Sequence, residues 1–208
     1  MLAKMLMSSR QITFIATAST QTTSNTTSLT ISKPTGTLQN DLMIAVMGGG
    51  FSGSSSYSLA GWTQVYTRSG SGGLTIFYRV AGASEGASYT FTCTNSNRQG
   101  GSIITYRYAA YDTVGTAALD TNPLVAPSIT LNNNYSLLLA VYLANSASRT
   151  PTTPTNMTSV VSNTDADAPS WAVFSQLLNI GATGTRSSTI GTASNVTGIL
   201  LSIKPQRY

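Results

Sequence analysis

From Gln11 to Lys204 the chain alternates apolar residues with Ser, Thr and other small polar residues, in runs broken by Gly, Asn, Ser and Pro. A two-residue period sends successive side chains to opposite faces, so each run reads as a strand with one wet and one buried side. Thirteen segments fit: 11–18, 28–32, 41–47, 62–67, 74–80, 88–94, 102–108, 128–131, 136–143, 157–161, 171–178, 187–191 and 197–204. No segment keeps a helical period over three turns between caps. Composition agrees. Only 8% of residues are charged while 41% are hydrophobic, and Ser and Thr supply about 60 of the 208 residues. Helix bundles and coiled coils need Glu, Lys and Arg on their wet faces, and disordered chains combine high charge with low hydrophobicity, so neither class suits this sequence.

Two runs break the alternation. Leu42-Met-Ile-Ala-Val46 and Leu137-Leu-Leu-Ala-Val141 are continuously apolar, as expected of mid-sheet strands covered on both faces. Each follows a polar turn, Lys33-Pro-Thr-Gly-Thr37 or Asn132-Asn-Asn134, and each turn follows a short strand, Leu29-Thr-Ile31 or Ile129-Thr-Leu131. The parallel extends further. Trp62-Thr-Gln-Val65 matches Met157-Thr-Ser-Val160, Leu74 to Ala81 matches Trp171 to Leu178, and Gly101 to Tyr106 matches Gly198 to Ile203. Segments 28–108 and 128–205 therefore read as pseudo-repeats. Two halves packed face to face predict an all-β, antiparallel two-sheet β-sandwich, jelly-roll-like, with about twelve strands and a weak internal duplication. We expect an N-terminal arm or edge strand over 1–18 and one sandwich domain over 19–208. Residues 111–127, with Gly115, Pro123 and Pro127, read as a long crossing connection; the alternative is a linker between two small sandwiches.

The absence of His excludes every imidazole-based scheme. Cys93, the lone cysteine, sits in a strand-like stretch and reads as a small half-buried residue. The six acids, Asp41, Glu85, Asp112, Asp120, Asp165 and Asp167, are few for a glycosidase pair. Asp41 precedes a buried strand and is expected to close the turn after Pro34. Asp165-Ala-Asp167 lacks the further ligands of a calcium loop and reads as a polar tip. Gly48-Gly-Gly50 and Gly70-Ser-Gly-Gly73 lack the Gly-Lys-Ser/Thr ending of a phosphate loop. We expect no enzyme activity, no cofactor and no metal.

The formal net charge is +5, but the eleven basic residues are scattered singly, which predicts no direct nucleic-acid partner. The longest apolar run, Leu137 to Ala144, has strand length, so no membrane partner is expected. Lys4 and Arg10 before Ile12 to Ala18 loosely imitate a signal peptide, but Thr13 and Thr17 break that stretch. The Ser-rich 48–57 stretch is a candidate contact loop, with Phe51, Tyr57 and nearby Trp62 as its rings.

The run Leu29-Thr-Ile31, Pro34, Asp41-Leu-Met-Ile-Ala45, Gly61-Trp62-Thr63, Ile76-Phe-Tyr-Arg-Val-Ala81 and Tyr89-Thr-Phe91 resembles β-sandwich virion proteins of tailed bacteriophages, the head-decoration, cement or tail-fibre type. The likeness spans Ser28 to Pro205 as a pattern of strand and turn residues. In similar proteins Gly commonly precedes the Asp of the second motif; here Asn40 does, a change of turn chemistry. The resemblance implies a structural protein of the virion, assembled in the host cytoplasm on the major capsid protein or other virion subunits. It further implies a homo-oligomer, a trimer if it follows viral symmetry sites. Leu2, Met5, Leu6 and Met7 are then the apolar anchors of an attachment arm. A tail-fibre or receptor-binding protein that recognises a host surface glycan is the alternative.

Overall fold

The computed structural model describes residues 11–49, 56–70, 72–119, 123–145, 149–164, 169–191 and 195–206. Every regular element among them is a strand. The first half runs β1 (Thr13–Gln21), β2 (Thr26–Ser32), β3 (Leu42–Gly49), β4 (Tyr57–Ser58), β5 (Thr63–Arg68), β6 (Gly73–Val80), β7 (Ser88–Asn97) and β8 (Gln99–Arg107). The second runs β9 (Ala109–Val114), β10 (Ala118–Leu119), β11 (Leu124–Ala126), β12 (Thr130–Leu131), β13 (Ser136–Ala144), β14 (Thr158–Asn163), β15 (Ser170–Leu178), β16 (Gly181–Ala182), β17 (Arg186–Ser188) and β18 (Val196–Pro205). All thirteen segments expected from the alternation contain a strand. Residues 111–127, expected as a connection, instead carry the end of β9 together with β10 and β11.

The strands form an antiparallel β-sandwich in four layers. Its two middle layers are the sheets β1-β8-β3-β6-β5 and β10-β18-β13-β15-β14, the latter with β9 also paired to β18. Outside the first lies β2-β7-β4; outside the second lie the ribbons β11-β17 and β12-β16. The alternation along β3 and β13 shows why both runs are apolar throughout. Leu42, Ile44 and Val46 meet Leu139, Val141, Leu143, Trp171, Ile199 and Leu201 in a shared central core. The intervening Met43, Ala45 and Met47 face Leu29, Ile31, Trp62 and Phe91, while Leu138, Ala140 and Tyr142 face Leu124, Ala126 and Leu131. Each buried Leu, Ile, Val or Met among these contributes about 1.5–3 kcal/mol relative to exposure.

The two middle sheets share their register. Ile44 stands between Tyr78 and Ile104, and Leu139 stands between Ser175 and Leu201. Bulges recur too: β5 shifts between Gln64 and Tyr66, and β14 between Ser159 and Val161. β1 shifts between Phe14 and Ala16, and β9 skips Asp112 between Tyr111 and Thr113.

Turn chemistry places β3 and β13. Asn40 takes φ 71°, a left-handed conformation that Asn tolerates better than most residues. Asp41 then accepts the Leu38 N–H at 2.8 Å and a forked pair from Arg107, Nε and Nη2 each at 2.9 Å. It closes the turn after Pro34 as expected, and the Gly36 carbonyl accepts a further Arg107 bond. The second half solves the same turn without charge: Tyr135 has φ 57°, and Ser136 Oγ donates to the Asn133 carbonyl at 2.9 Å.

Close approach joins the middle sheets. Trp171 Nε1 donates to Ser102 Oγ at 2.8 Å, and a Cβ on Gly100 would stand 2.8 Å from Trp171 Cη2. Gly100 is therefore the floor on which the indole lies. At one flank Arg68 Nη1 donates to the Val196 carbonyl at 2.9 Å and to Thr197 Oγ1 at 2.7 Å. At the other, Asn163 Nδ2 donates to Gln21 Oε1.

Candidate functional site

The side chains expected to make contacts divide into two groups. Leu2, Met5, Leu6, Met7 and Phe51 lie outside the described residues, as do Asp120, Asp165 and Asp167. Tyr57 and Trp62 are described, and both are core residues, 2% and 8% exposed. The Tyr57 hydroxyl donates to the Gly48 carbonyl at 2.9 Å, and Trp62 meets Tyr89 edge-on at 5.1 Å and Phe91 at 5.4 Å. Tyr57 thus ties β4 of the first outer layer to β3 of the middle sheet, and Trp62, just before β5, packs on β7 of that outer layer, which corrects the expectation that they form a contact surface. Of the expected arm over 1–18, residues from Thr13 onward belong to β1, the edge strand beside β8. Cys93 is buried.

Three acids are described, and each has structural partners. Asp41 holds Arg107. Glu85 accepts from Arg79 Nε and Nη2, from the Gly82 N–H at 2.6 Å and from the Tyr89 hydroxyl at 2.9 Å. Burial raises its pKa, but those bonds together outweigh burial and hold the carboxyl below its ordinary value. Asp112 takes the Ser202 hydroxyl at 2.9 Å and the Lys204 ammonium at 3.4 Å. Among the described residues no three His, Cys, Asp or Glu converge as metal ligands.

Two concavities are formed wholly by described residues. One, of about 300 Å³, is polar and lies between Pro154–Asn156 and Thr185–Ser187. The Arg186 guanidinium beside it donates to Gln176 Oε1 and to the Thr183 and Thr185 carbonyls, so much of its donor capacity is committed internally. The other, of about 270 Å³, opens at a seam between the middle sheets and is lined by Ile12, Phe14, Tyr106, Leu137, Thr158, Ser159, Val160 and Ser175. Phe14 is 48% exposed there, while Tyr106 is 1% exposed and packs edge-on against it at 6.0 Å. The Tyr106 hydroxyl is buried without a hydrogen-bond partner, which costs about 1–3 kcal/mol. Burial also raises the Tyr106 pKa, keeping the phenol neutral and able to donate.

This second concavity is the candidate site: a largely apolar recess with the half-exposed Phe14 ring on its wall and room for a small apolar group. Sequence reasoning missed it because a seam exists only once it is known which sheet edges face each other. One signal was present: in the matched blocks Leu74 to Ala81 and Trp171 to Leu178, Tyr78 is replaced by Ser175. No family model, curated protein or solved structure matches this chain.

Proposed function

We propose that the chain is a non-enzymatic virion structural protein that decorates or cements the outer surface of a bacteriophage capsid as a homo-oligomer. The observation that carries this reading is strand order. The sheet β1-β8-β3-β6-β5 beside β2-β7-β4 supports a jelly-roll-like reading, with β5 paired to β6 where a jelly roll would set it beside β4; the jelly roll is an architecture of viral capsid and lectin domains. In the second half β9, β18, β13 and β15 take the corresponding places. The recurring bulges and registers support reading the halves as copies of one module. A chain with 8% charged residues and an abundance of hydroxyls suits a subunit whose weak contacts are multiplied over many copies.

The test is addition of purified chain to heads that lack it. Saturable binding together with a higher temperature of genome release supports the reading; no binding to heads overturns it. The second reading, a tail-fibre or receptor-binding protein, shares the lectin use of this architecture and has an exposed ring in Tyr135, 57% accessible at the turn into β13. Binding to host-surface glycan without binding to heads would select it.

A further inference from the structure

The recess at the first seam has a filled counterpart at the opposite seam. Phe14 pairs with Tyr106 as Tyr111 pairs with Ile203. Ser175 stands opposite Leu139 and Thr158 as Tyr78 stands opposite Ile44 and Thr63. At the filled seam the Tyr78 ring lies on Tyr111, centroids 4.6 Å apart and planes 3° from parallel. At the first seam Ser175 supplies no ring; Tyr106, in the place of Ile203, packs edge-on against Phe14 at 6.0 Å, and about 270 Å³ still stands open beside the pair. An apolar cavity of roughly 150 Å³ already accepts benzene, so the volume suffices for one phenol. The half-exposed ring of Phe14 supplies a stacking surface.

We propose that this recess is a receptor site for one aromatic ring, the tyrosine or phenylalanine side chain of a partner polypeptide, taking the place that Tyr78 fills at the opposite seam. The site stands independently of the virion reading. Its test uses p-cresol, the side chain of tyrosine, titrated into the whole chain and followed by NMR. Saturable shifts are expected at the methyls of Ile12, Leu137 and Val160 and at the Phe14 ring, with 4-methylcyclohexanol binding several-fold more weakly because it cannot stack. Ser175→Tyr is expected to rebuild the stack, raising Tm and abolishing the shifts. Phe14→Ala provides a second variant at a half-exposed position and is expected to fold and to weaken p-cresol binding severalfold. N-acetyl-tyrosinamide separates the sources: binding comparable to p-cresol supports a side chain arriving on a polypeptide, whereas p-cresol binding without it overturns that source. No saturable shift in the unaltered chain, or unchanged affinity in Phe14→Ala, overturns the site.

Discussion

Replacing Gly100 by Ala probes the packing that makes the two middle sheets one body. The added Cβ would overlap Trp171 Cζ3 and stand 2.8 Å from Cη2 and 3.2 Å from Cε3. The indole is 1% exposed and held by its bond to Ser102, so it has little room to yield. Overpacking of this kind costs about 1–3 kcal/mol, offset by about 0.4–1 kcal/mol because Ala restricts the unfolded chain. The net loss expected is about 1–2 kcal/mol, and at roughly 2–4 °C per kcal/mol for a chain of this size Tm falls by several degrees. Urea denaturation followed by circular dichroism measures it. The control is the same substitution in a Trp171→Leu background, where the penalty should shrink to below about 0.5 kcal/mol because the clashing ring is gone. An unchanged midpoint for Gly100→Ala, or an equal penalty in both backgrounds, would refute the packing argument.

Other consequences are as direct. Asp41→Asn removes the charged acceptor of the Arg107 fork and should cost about 1.5–3 kcal/mol in urea denaturation with the m-value unchanged. Tyr135→Asn keeps the backbone N–H bonded to Asn179 Oδ1 and relieves a left-handed aromatic residue, so stability should rise by up to about 1 kcal/mol. Because the folded protein holds Glu85 below its ordinary carboxyl value of 4.5, the unfolded chain binds the proton more readily. The stabilisation from Glu85 is present above 4.5 and is lost as pH falls through the folded value. Glu85→Gln should therefore lower stability at neutral pH and flatten the acid limb of the stability profile. Cys93, 6% exposed, should resist a bulky thiol reagent in the native protein and react at once in concentrated guanidinium.

Where the sequence was legible, side-chain period was the reason. Leu42 to Val46 and Leu137 to Val141 revealed strands covered on both sides, and β3 and β13 occupy the middle of their sheets. The runs could not show that the cover on the outer side comes from separate small sheets, because an apolar side chain does not reveal its partner. β4, β10 and β16 have two residues each, too few for a period to register. β9 was hidden because only Tyr108, at φ 59°, separates it from β8, with no Gly, Pro or Asn to mark the break. Trp62 and Tyr57 were ambiguous for another reason: a ring beside a Ser- and Gly-rich stretch looks the same in sequence whether it faces the core or solvent. The seam recess depended on the pairing of β1 with β8 and on the approach of β14, both long-range contacts that local pattern does not contain.

Gold-labelled antibody against this chain, imaged on particles purified from its source, tests the decoration reading most directly. The account predicts label spread over the head. Label confined to the tail end, or particles without label, would contradict it.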